Sequence, residues 1–184
     1  MADKTELRKR FTSEWEKHYK IDALTSKGFQ RKQCTTCKRH FWSLDTQRNT
    51  CADSECMGYE FIGKKTHNYS YVETWKKISE YFTQHAPVKH TEIKRFPVVS
   101  RWRDDLYFTN ASIIDFQPYV VTGQVEPPAN PLIVPQMCLR FNDVGNVGVT
   151  GRHNTGFVMF GQHAFNTEKT GLFYWKNEAL EHDY

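Results

Sequence analysis

At 184 residues the chain is long enough for one substantial domain, or for one domain with a small appendage. Its 39% hydrophobic and 15% aromatic content supports a packed core and excludes wholesale disorder. A mean hydropathy of −0.70, with apolar runs no longer than Pro131 to Pro135, excludes a bilayer-spanning helix. The net charge of +4 is uneven. Residues 1–40 hold eleven Lys/Arg against five Asp/Glu, which suits either a nucleic-acid partner or a solvated charged face. The start, MADKTELRKRF, is charged and lacks the apolar core of a secretory signal, so a cytoplasmic protein with no membrane partner is expected.

Leu7, Phe11, Trp15 and Tyr19 recur at spacing four and predict an amphipathic helix over residues 4–20. Cys34 and Cys37 then form a C-x2-C pair, and Cys51 and Cys56 follow as C-x4-C. Two short pairs can wrap a tetrahedral Zn²⁺ with four thiolates, each pair from a tight turn. Disulfides are the competing reading, disfavoured in a chain without a signal. With all four positions filled by protein, the zinc would be structural. Phe41, Trp42, Tyr59 and Phe61 lie among Arg31, Lys32, Lys38 and Arg39. They read either as the small module's own core or as a grip on nucleic acid.

Ser70 with Glu73 forms a capping box opening a helix that runs to His85, with Val72, Trp75, Ile78, Ser79 and Phe82 on one stripe and Pro87 as the stop. Residues 93–99, IKRFPVV, read as a strand confined by its proline to an edge or an interface. Asp104 and Asp105 beside Arg101 and Arg103 suggest a surface ion-pair cluster, the alternative being paired carboxylates for acid–base work. Residues 122–135 hold four of the seven prolines and read as an extended connector.

From Met137 the residues alternate, with Gln136, Cys138, Arg140 and Asn142 opposite Met137, Leu139 and Phe141. After a turn rich in Asn, Asp and Gly, alternation resumes at Arg152, with His153, Thr155, Phe157 and Met159 on one side. Such a pattern predicts two antiparallel strands. If pairing puts both sets on one face, a guanidinium, an imidazole and an aromatic ring come together. That combination suits a phosphate attached to a base. A last helix begins near Trp175. Cys138 reads as a core thiol.

Several segments in order, RKQCTTCKRHFW, FPVVSRWRDD, ASIIDFQP, PPANPL and NVGVTGRH…HAFN, resemble the amino-terminal part of the archaeal-type alanyl-tRNA synthetases, a group of class II aminoacyl-tRNA synthetases. The resemblance runs from about Gly28 to Trp175. It implies an α+β fold, a partial class II antiparallel sheet flanked by helices, behind an N-terminal zinc module with four cysteine ligands. The implied parts are a helical extension (1–27), the zinc module (28–66) and an incomplete catalytic domain (67–184) with the first and second class motifs but not the third. The implied activity is ATP-dependent activation of alanine to alanyl-adenylate and transfer to the 3′ end of tRNA(Ala). Arg140 would bridge the ATP α-phosphate and the alanine carboxylate. Arg152 or His153 would reach the outer phosphates, Phe157 would stack on adenine, and Ile113 would line the alanine pocket. Mg²⁺ would accompany ATP, and a separate chain carrying the third motif and the remaining domains is an implied partner. Val158 departs from the family pattern, which has glutamate there. A truncated non-catalytic paralogue and a zinc-ribbon tRNA-binding module are the alternatives.

Overall fold

The computed structural model describes residues 3–58, 67–149 and 153–184. In chain order the helices are α1 (Lys4–Ser13), α2 (Trp15–Tyr19), α3 (Asp22–Ser26), α4 (Ser54–Met57), α5 (Tyr71–Glu80) and α6 (Lys176–Asp183). The strands are β1 (Gln30–Gln33), β2 (His40–Ser43), β3 (Thr91–Glu92), β4 (Leu132–Leu139) and β5 (Gly156–His163). They form two compact units, residues 1–58 with 175–184, and residues 59–174.

In the first unit the expected single helix is two. The break falls at Glu14 (φ −99°, ψ 30°), and Phe11 then meets both His18 (4.7 Å) and Tyr19 (6.4 Å) edge-on. Asp3 caps α1 by accepting the Thr5 N–H. β1 and β2 pair antiparallel from Gln30↔Ser43 to Gln33↔His40. α6 packs on α3, and Lys176 Nζ donates to the Lys20 carbonyl. Buried side chains here are few: Ala23, Cys34, Ser43, Cys51 and His182.

The second unit is built on β4. Its expected start at Met137 is corrected to Leu132, because residues 132–135 are strand and not connector. The cause is burial on both faces, which erases period-2 alternation and leaves a continuous apolar run. Leu132 and Val134 pack with Phe116 and Phe165 on one side. Ile133 packs with Phe82 and Ala86 on the other. Pro135 breaks no ladder bond. The odd-numbered groups of β4 face β3, as Ile93 N–H to Ile133 O shows, and β3 pairs only with Leu132 and Ile133, in parallel.

α5 begins with the expected capping box: Ser70 Oγ accepts the Glu73 N–H, and Glu73 accepts the Ser70 N–H. It widens into a π turn over Tyr81–His85. Its stripe reaches the sheet through Phe82 and Phe160, 5.0 Å apart, while Trp75 and Ser79 donate to the Glu92 carboxylate. Val72 remains exposed.

The expected strand 93–99 is absent, reduced to β3 before it and a single bridge, Val99↔Phe108. The fully buried Gln136 side chain takes the place of a ladder. Its Oε1 accepts the Phe96 N–H (2.9 Å) and its Nε2 donates to Phe96 O (3.2 Å). Of the expected charge cluster, Arg103 holds Asp105 through two bonds of 2.8 and 2.6 Å.

Candidate active site and metal centre

β4 and β5 pair antiparallel from Leu132↔His163 to Leu139↔Gly156. This register sets Cys138 opposite Phe157 and Gln136 opposite Met159, so the two expected sets share one face. A 3₁₀ turn, Ser112–Phe116, covers that face at its Leu132 end. The approach is close: a Cβ on Gly161 would lie 2.6 Å from Ser112 Cβ. The other end is open, and there lies a cleft of about 520 Å³ lined by Arg140, Asn142, Asp143, His153, Asn154 and Phe157.

Arg140 sits just past β4, where its N–H still bonds Thr155 O (2.8 Å). Its Nε donates to Asn110 O (2.8 Å), and its Cζ lies 5.1 Å from the Phe157 ring centroid. The guanidinium is thus held by a carbonyl and a ring, neither of which neutralises it. Both Nη groups remain for a ligand. The geometry gathers Arg140, His153 and Phe157. Arg152 lies outside the described residues, as do Tyr59 and Phe61. Ile113 is half-buried on the 3₁₀ turn and is not among the side chains lining the cleft. Val158 pairs with Met137 and faces away from Phe157. Cys138 is fully buried.

Two groups at the covered, Leu132 end of the face were not singled out by sequence reasoning. Asp115 is buried with neither carboxylate oxygen hydrogen-bonded, and burial pushes it up to about 7. His163 donates to or accepts from Ser112 Oγ (3.1 Å), and burial pushes it down to about 4. Their only sequence signal is a polar residue inside an apolar run.

The two shifts oppose in pH dependence. Asp115 keeps its proton to about pH 7 in the fold but only to 3.8 unfolded, so stability falls as pH rises across that interval. His163 stays neutral to about 4 in the fold but protonates near 6.5 unfolded, so stability rises with pH across that window. Between about pH 4 and 6.5 these contributions cancel. Asp115→Asn is expected to expose the histidine slope and to stabilise the chain by about 2–4 kcal/mol at pH 8. Urea unfolding at pH 4.5, 6.5 and 8 measures both, and a variant no more stable than its parent at pH 8 would contradict the assignment.

In the first unit, the end of β1, the turn after it, the loop before α4 and α4 itself bring four cysteines together. The sulfurs of Cys34, Cys37, Cys51 and Cys56 all lie within 4.8 Å of one another. Four thiolates at about 2.3 Å from a tetrahedral Zn²⁺ stand about 3.8 Å apart, and Cys37 Sγ and Cys51 Sγ are at 3.8 Å. Backbone N–H groups of Cys37 and Cys51 lower the Cys34 thiol to about 6. The Arg39 side chain lowers Cys37. Burial, then the neighbouring thiols, push Cys56 up to about 12. Four thiolates cannot be sustained here without a cation, and the set is compatible with zinc. None of the four is disulfide-bonded.

Residues 73–183 match the family model described as tRNA synthetases class II (A). The chain belongs to the class II (A) tRNA synthetases. As a synthetase chain it is 45% identical to the alanine–tRNA ligase of Nitrosopumilus maritimus, over 99% of its own length and 20% of that relative. It is 44% identical to the alanine–tRNA ligase of Methanocella arvoryzae, over 95% of its length and 20% of the relative. With that of Cenarchaeum symbiosum it shares 46% identity, over 99% and 20%. The chain spans about one-fifth of the length of these curated relatives. The α+β fold with an antiparallel β4–β5 pair agrees with the family assignment, and β3 adds a short parallel edge. No helix of the described residues is long and apolar enough to cross a membrane.

Proposed function

We propose that this chain supplies the ATP- and alanine-handling side of an alanine–tRNA ligase. The observation that carries the reading is Arg140, un-neutralised beside Phe157 at the open end of the β4–β5 face, within the segment matching class II synthetases. The reaction must bring two anions together. The alanine carboxylate oxygen bonds to the ATP α-phosphorus as the bond to the β-phosphate oxygen breaks, releasing pyrophosphate. The tRNA(Ala) 3′ hydroxyl then takes the alanyl group, releasing AMP.

Arg140 suits the first step. A guanidinium neutralises carboxylate and α-phosphate together, cannot lose its proton, and offers a planar fork for both. Anchoring of Nε on Asn110 O fixes the fork before the substrates arrive. Phe157 takes the adenine on its free face. Arg152 or His153 takes the outer phosphates, and Ile113 belongs to the alanine pocket. Mg²⁺ bound with ATP would neutralise the departing pyrophosphate. The opposite wall, with the third class motif, comes from a further segment in the same or a separate polypeptide.

In this reading residues 1–27 are a helical extension, 28–66 the zinc module and 67–184 the catalytic portion. The four-cysteine site holds one structural Zn²⁺ through Cys34, Cys37, Cys51 and Cys56, cross-linking β1 to α4. The compartment is the cytoplasm.

The test is amino-acid-dependent ATP–pyrophosphate exchange by the chain combined with the segment that follows the matched region in the Nitrosopumilus relative. Exchange with alanine well above that with other amino acids is expected. Exchange no greater than that of the added segment alone sinks the reading.

A further inference from the structure

We propose that the cleft between α1 and the β1–β2 hairpin binds single-stranded RNA, at a site separate from the Arg140 cleft. The cleft measures about 660 Å³, within the roughly 300–1,000 Å³ usual for ligand sites. One wall is a single face of the hairpin. Arg31 pairs with Trp42 and Gln33 with His40, and all four line the cleft. Period-2 alternation has put a cation, an amide, an imidazole and an indole on the same surface. The facing wall carries Arg8, one turn before Thr12 on α1, with Tyr19 beyond.

Among the described residues no Asp or Glu lines this cleft. Arg39 is already engaged by Asp53 (2.6 Å) and Cys37 Sγ (3.4 Å). Three cations remain: Arg8, Arg31 and Lys38. The Arg31 guanidinium lies 4.4 Å over the Trp15 ring, a contact that fixes its plane and leaves its charge intact. Lys38 stands on the turn at φ 60° and spends one donor on Thr35 O.

Three cations with no carboxylate against them call for a polyanion, and the rings narrow the choice. Tyr19 is 48% exposed and Trp42 half-buried. An acidic peptide would meet the charges and waste the rings. A duplex keeps its bases stacked on one another. An unpaired strand offers phosphates to the cations and base faces to the rings. The choice of RNA among single strands rests on the synthetase reading.

The experiment is fluorescence anisotropy of a labelled single-stranded RNA 12-mer, unrelated in sequence to tRNA, titrated with the full chain without ATP or alanine. Failure of the exchange assay therefore leaves this result untouched, and the converse holds. Saturable binding that weakens with salt is expected. The double variant Arg8→Ala/Lys38→Ala should bind about 10–100-fold more weakly, with the salt slope reduced by about 0.7 per cation removed. Tyr19→Ala should weaken binding about fivefold or more, and unchanged circular dichroism shows that each variant is folded. Absence of saturable binding, unchanged affinity in the folded double variant, or equal affinity for duplex RNA or polyglutamate would each overturn the proposal.

Discussion

Removing the metal, or replacing Cys34 with serine, is expected to abolish cooperative folding of the hairpin module while β4 and its neighbours keep theirs. Among the described residues the buried side chains of residues 3–58 are only Ala23, Cys34, Ser43 and Cys51. Two of those four are thiols of the cluster. A unit with so little apolar burial cannot offset its conformational entropy, and a metal bound by the four thiolates would supply folding free energy directly. Cys34→Ser also removes the thiol that two backbone N–H groups hold most readily as thiolate. Elemental analysis should find one zinc per chain in the parent. Chelation should erase the near-ultraviolet dichroism of Trp42 at that step. A metal-free sample with an unchanged unfolding transition, or a mass showing a Cys34–Cys37 disulfide, would be incompatible with this account.

The second large effect belongs to Arg140. Arg140→Ala is expected to slow alanyl-adenylate formation by about 10²–10³-fold, or roughly 3–4 kcal/mol, the usual cost of deleting one preorganised anion-stabilising donor. Arg140→Lys should fall between the two, because it keeps the charge but loses the fork and the ring contact. Arg140 is exposed, and its loss removes one side-chain bond, to Asn110 O. The stability change should therefore stay near 1 kcal/mol or below. Single-turnover formation of the adenylate, with the complementing segment present, separates chemistry from substrate binding. A variant that raises only the KM for ATP would make Arg140 a binding group without a role in the transition state.

What the sequence revealed, and what it concealed, follows from the range of the interactions. The cysteine cluster depends on spacing within two short turns, so C-x2-C and C-x4-C were enough to foresee it. The cleft face was legible for the same reason: a two-residue period fixes which side chains meet, and Cys138 does stand opposite Phe157. The capping box at Ser70 is local too.

The failures come from tertiary burial. Leu132 to Pro135 showed no alternation because both faces of β4 are covered. Residues 93–99 looked like a strand, but the hydrogen bonds a strand would make at Phe96 go to the Gln136 side chain, forty positions away. Neither Gln136 nor Asp115 could be recognised without the elements that bury them. The break of the first helix at Glu14 also escaped the four-residue spacing, since Phe11 folds back onto His18 and Tyr19.

Adenine nucleotide is expected to bind with its α-phosphate on Arg140 and its base on the face of Phe157 that the guanidinium leaves free. Photolabelling with 8-azido-ATP, followed by tryptic mapping, tests it on the chain itself. Label should appear on the peptide 153–169, should fall with excess unlabelled ATP, and should drop at least about tenfold in Arg140→Ala, in line with the loss of a charge-assisted phosphate contact. Label confined to residues 30–58, or label on 153–169 that excess ATP does not displace, would contradict it.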